Sequence, residues 1–81
     1  MRVTVRLFAS MRQKADREQI VLDLPAGARV ADAWAALIQA HPEFAPYQET
    51  SLPAVNRRYV TVEAPLQDGD ELAILPPVSG G

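Results

Sequence analysis

Few side chains in this sequence do chemistry of their own: there is no cysteine and a single histidine, His41. Attention therefore moves to the main chain and its last seven residues, Leu75-Pro76-Pro77-Val78-Ser79-Gly80-Gly81. They are expected to end on a free carboxylate at Gly81, with nothing after it. Pro76 and Pro77 fix φ near the polyproline value and supply no backbone donor, so the segment can neither wind into a helix nor pair as an inner strand. Residues 76–81 are expected to project as an extended tail, reaching about 20 Å at roughly 3.3 Å per residue, far enough to enter another protein's active site. Gly80 and Gly81 sharpen this expectation. Without Cβ atoms they pass a channel too narrow for other residues and leave the last carbonyl open to attack. A frayed terminus is the plain alternative. It does not explain a stiff proline pair at the base, directly after an apolar run.

A carboxylate at a chain end has a pKa of about 3.3–3.7, so it is ionised near neutrality, and resonance makes its carbon a poor electrophile. It must be activated before it can carry anything. Adenylation would make it a mixed anhydride, from which a sulfur donor displaces AMP and leaves a thiocarboxylate. The sequence has no Walker-type glycine-rich loop and no dinucleotide fingerprint. Asp68, Asp70 and Glu71 are the nearest thing to a Mg²⁺ cluster, and a tight turn explains them more simply. No cofactor is expected on this chain. ATP and Mg²⁺ belong at a partner, the activating enzyme. His41 stands at a helix end with no nucleophile beside it, and is read as structural or merely exposed rather than as a general base.

Eighty-one residues make one small domain. A chain of this size buries somewhat more than about 60% of its unfolded surface, enough for one core. Apolar residues at 48% and charged residues at 22% are ordinary for a folded soluble domain. A net charge of −2 argues against nucleic acid as a partner. The one basic doublet, Arg57-Arg58, reads as a solvated hairpin tip. No apolar run is long enough to span a bilayer, and the alternating N-terminus is unlike a signal-peptide core, so no membrane partner and a cytoplasmic location are expected. Without cysteine there is no disulfide framework, and with one histidine no structural zinc site.

The elements that must position the tail can be read from periodicity. Val3, Val5 and Leu7 alternate with polar residues, which predicts a strand over residues 2–8. Residues 9–17 form a helical turn or loop. Ile20, Leu22 and Leu24 alternate in a second strand, antiparallel to the first because the link is too short for a crossover. From Val30 the period changes: Val30, Trp34, Leu37 and Ile38 make one apolar stripe of a helix that Pro42 closes. Residues 42–52 read as loop with a short turn near residues 43–47. A second hairpin follows, with Ala54 and Val55 before an Asn56-Arg57-Arg58 turn and a strand over residues 59–62. After the turn at residues 66–70, residues 71–75 form the last strand, with Leu72 and Ile74 on one face. The result is an α+β fold with a mixed sheet and one main helix packed on one face. If the first strand is central and the last lies parallel to it, the helix supplies the long connection. That is the β-grasp, or ubiquitin-like, arrangement, with a body over residues 1–75 and the tail over 76–81.

The stretches AVNRRYV (54–60) and LQDGDELAILPPVSGG (66–81), set in a chain of this length, resemble the small subunits of molybdopterin synthase, a family of ubiquitin-like sulfur carriers. The resemblance implies that Gly81 is adenylated by a ubiquitin-activating-like adenylyltransferase and receives sulfur from a sulfurtransferase. It further implies that the tail, Pro76, Pro77, Val78, Ser79 and Gly80 included, enters the large subunit of the synthase. There the thiocarboxylate donates sulfur to cyclic pyranopterin monophosphate, in a heterotetramer whose small subunit is not itself the catalyst. Partner-facing apolar positions fall on Phe8, Tyr59 and Leu75. Tyr59 and Leu75 stand where the family often has Leu and Phe, and Arg29 where it commonly has a helix-capping Thr. Carriers that serve thiamine, cysteine or tungsten-pterin synthesis are the nearest alternative. A ubiquitin-like protein modifier and a plain binding module are the others.

Overall fold

A computed structural model describes residues 1–76 of the chain; Pro77, Val78, Ser79, Gly80 and Gly81 lie outside the described residues. Five strands, β1 (Arg2–Leu7), β2 (Gln19–Asp23), β3 (Leu52–Val55), β4 (Arg58–Tyr59) and β5 (Glu71–Leu75), form one sheet in the order β2-β1-β5-β3-β4. β1 is antiparallel to β2 and parallel to β5, and β3 is antiparallel to both β4 and β5. The expected parallel β1–β5 pair is present; β1 lies inside the sheet between β2 and β5, and the middle place of the five is taken by β5. Their connection runs through α2 (Val30–Ala40), which lies against one face of the sheet.

The alternation in sequence becomes a division between the two faces. Val5 lies opposite Leu72 and Leu7 opposite Ile74, and all four are almost fully buried under α2. Val30, Trp34 and Leu37 complete this core from the helix, while Ile38 is only half-buried against it. The other face carries Thr4, Arg6, Glu71, Ala73 and Leu75, residues one step out of phase.

Two elements are more regular than the sequence suggests. Residues read as a turn or loop form a helix, α1 (Ala9–Ala15), which buries Met11 and ends at Asp16 in the left-handed conformation. The loop after α2 is a 3₁₀ helix over Pro42–Tyr47 that buries Phe44 completely. His41 makes the junction: its backbone N–H donates to Leu37 O, its ring lies 5.5 Å from that of Phe44, and its Nδ1 is 3.7 Å from Glu43. Of the two roles read for it, structural or merely exposed, His41 takes the structural one at this helix end.

One element is shorter than expected. The strand predicted over residues 59–62 is only β4, Arg58–Tyr59. The cause lies in where the following backbone is used. Ala31 N–H donates to Val62 O at 2.8 Å and Val30 N–H to Ala64 O at 3.0 Å, so this segment satisfies the first turn of α2 instead of lengthening the sheet. Asp32 closes the same end by accepting from Arg29 N–H at 2.8 Å. Arg29 has no side-chain acceptor, so only this half of a capping box forms.

Candidate functional site

The site is built where β5 leaves the sheet. β5 is held on both sides, by β1 and by β3, and its last residue Leu75 is paired with Leu52. Pro76 follows, exposed, and the remaining tail residues lie outside the described part.

At this end the outer face of the sheet forms an open groove of about 300 Å³. Phe8 and Leu75 form one part of its lining and Tyr59 another, over a floor made by Ala54 and Ala73. The three residues singled out as partner-facing thus come together on one surface. Tyr59 is 68% exposed, and Phe8 and Leu75 are half-buried. The small floor residues were not anticipated. Their signal is positional, because Ala54 and Ala73 pair directly across β3 and β5, where two small side chains leave a trough. Around Phe8 the wall turns into a second, smaller notch of about 150 Å³, lined by Pro76 together with Ala9, Ser10, Tyr47 and Ile74.

Charge in the groove is unevenly matched. Arg6 is engaged twice, with its Nη1 3.7 Å from Glu71 Oε1 and its guanidinium carbon 5.8 Å from the centre of the Phe8 ring. Arg57 also lines the groove, and no carboxylate among the described residues forms an ion pair with it. It occupies the β3–β4 turn, where Asn56 has φ 50° and Arg57 φ 72°. A tight hairpin turn with both central residues left-handed favours Asn-Gly. An arginine in the glycine position carries a cost of about 1–2 kcal/mol.

Asn56 explains why this turn is rigid. Its side chain donates to Asp70 Oδ1 at 2.9 Å and accepts from Glu71 N–H at 3.0 Å, while its own N–H donates to Glu71 O. Asp70 accepts also from Gln67 N–H, and Asp68 from Arg2 N–H at 2.7 Å. The acidic residues of the Asp68-Gly69-Asp70-Glu71 turn are thus spent on backbone donors, a neighbouring amide and Arg6. Among the described residues no cluster of His, Asp and Glu is arranged to hold a metal ion, and no helix is long and apolar enough to cross a membrane.

A mixed sheet with a central parallel pair, one main helix across one face and a last strand opening onto an apolar groove defines the ubiquitin-like β-grasp class. The model of the ThiS family matches residues 5–81, and the chain belongs to that family. The molybdopterin synthase sulfur carrier subunit of Chlamydomonas reinhardtii is 39% identical, with each chain covered over its full length. Among solved structures, the small archaeal modifier protein SAMP1 of Haloferax volcanii superposes with a TM-score of 0.88 at 29% identity, each chain fully covered. Full coverage of both chains also holds for a chain in the complex of subunits 1 and 2 of the molybdopterin-converting factor from Helicobacter pylori, at 26% identity and a TM-score of 0.71.

Proposed function

We propose that this chain is the sulfur carrier subunit of a molybdopterin synthase and that Gly81 bears the sulfur. The supporting observation is the full-length similarity to a protein of that name, running through the terminal Gly80-Gly81. The Gly81 carboxylate attacks the α-phosphorus of ATP at a partner adenylyltransferase, releasing pyrophosphate and leaving an acyl adenylate. Sulfide-level sulfur from a sulfurtransferase then displaces AMP and leaves the thiocarboxylate. In the large subunit the thiocarboxylate sulfur attacks a side-chain carbon of the pterin and displaces that carbon's oxygen substituent, and hydrolysis of the resulting thioester returns the Gly81 carboxylate, with the new oxygen coming from water.

The body's part in this scheme is to aim the tail. The groove of Phe8, Tyr59 and Leu75 docks on the large subunit, Pro76 and Pro77 keep the exit extended, and Val78, Ser79 and Gly80 pass through the partner's channel. The H. pylori complex of subunits 1 and 2 supports this choice of partner. A heterotetramer with the small subunits apart is the assembly that the resemblance implies.

A second reading, attachment of Gly81 to lysines as a ubiquitin-like modifier, draws on the similarity to SAMP1. One experiment separates the two. Intact-mass analysis after incubation with the activating enzyme, ATP and a sulfur source should show oxygen-to-sulfur exchange at Gly81. A stable lysine adduct in its place establishes the modifier, and an unchanged mass leaves only a binding module.

A further inference from the structure

We infer that Arg57 is the charge-selecting residue of the docking groove and that it takes an Asp or Glu carboxylate presented by the partner beside the apolar segment that covers Phe8, Tyr59 and Leu75. The inference rests on the carrier reading above and adds to it the chemistry of the partner's surface.

Two independent observations carry it. The first is charge. The groove holds Arg6, Arg57 and Glu71, and the Arg6–Glu71 pair cancels itself within the wall. What remains is one positive charge at an apolar surface, in a chain whose net charge is −2. A guanidinium in such a place presents a planar fork of donors that matches a carboxylate. Arg58, its neighbour in sequence, pairs with Val55 in the sheet and is not part of the groove.

The second is backbone conformation. Arg57 stands at φ 72°, where glycine fits without strain. Nothing in the fold compensates for arginine there: it makes no side-chain hydrogen bond or ion pair among the described residues. Backbone strain of this kind clusters at sites that meet a ligand or partner, and Arg57 carries it at the lining of the groove.

Stability and binding should therefore move in opposite directions at this one position. In titrations against the molybdopterin synthase large subunit of the same organism, Arg57→Gln should weaken association about tenfold at low salt, the scale of one charge-assisted contact. Its affinity should converge on that of the unaltered chain as salt rises, because the lost contact is screened. Arg57→Lys should retain part of the affinity, and Arg58→Gln all of it. Arg57→Gly should bind as poorly as Arg57→Gln while melting about 4 °C higher. If Arg57→Gln binds with unaltered affinity and salt dependence, or Arg57→Gly weakens binding only by melting lower, Arg57 is not the selector. Failure of the unaltered chain to bind the large subunit would overturn the carrier reading itself, and this inference with it.

Discussion

The two faces of the sheet are made from the same strands and serve different ends. On the inner face Val3, Val5, Leu7, Leu72 and Ile74 are sealed beneath α2, and every apolar group has a partner within the chain. Across the same strands Phe8, Ala73 and Leu75 stay half-buried around the enclosed Ala54, with Tyr59 68% exposed beside them, and no helix among the described residues lies over this trough. Burial of its own core accounts for the first set and not for the second. An apolar surface left open next to the exit of the tail is what a docking handle requires.

Single changes at named positions test this contrast. The largest effect belongs to neither face: deleting Gly81, or adding residues after it, should abolish sulfur transfer in a reconstituted assay while the melting temperature stays where it was. Activity surviving either change would mean that the chain end is not the reactive group. Next comes the core. Phe44→Ala should destabilise by about 3–5 kcal/mol, measured by denaturant unfolding, because it empties a fully enclosed site.

On the outer face the signs reverse. Leu75→Glu should weaken large-subunit binding by about 2 kcal/mol or more in calorimetric titration, with Phe8→Ala somewhat milder, and both should unfold at nearly the same denaturant midpoint as the unaltered chain. Equal losses of binding and stability would erase the distinction between the faces. Asn56→Ala should cost about 1–2 kcal/mol of stability, since it strips partners from Asp70 and from Glu71 N–H. Asp32→Ala should cost about 1 kcal/mol, by releasing the N-terminus of α2.

The elements legible in the sequence were those long enough to show a period. β1, β2, α2 and β5 each carry several apolar residues at fixed spacing, and the parallel β1–β5 pairing follows once α2 is available as the connection. Phe44 gives no signal because it is the one large apolar residue between Pro42 and Pro46, and one residue has no period. Met11 is alone in α1 in the same way. The strand predicted through Val62 stops short for another reason: the Val62 carbonyl, and that of Ala64 beyond it, are taken by the start of α2, a tertiary demand that local β-propensity does not register.

Within the site, resemblance and not periodicity points to Phe8, Tyr59 and Leu75. The Ala54–Ala73 floor needed the register of two strands. Arg57 read as a solvated tip because sequence alone does not place the turn beside the groove or reveal that its backbone is left-handed.

The position of β5 has a mechanical consequence. The strand that ends in the tail is riveted along both edges, to β1 on one side and β3 on the other. Any pull along its axis, as when the terminus is threaded into or withdrawn from a tight tunnel, loads both ladders in shear, so their hydrogen bonds must give way together rather than unzip one by one. The body is thus braced on both sides against a load applied at the end of β5.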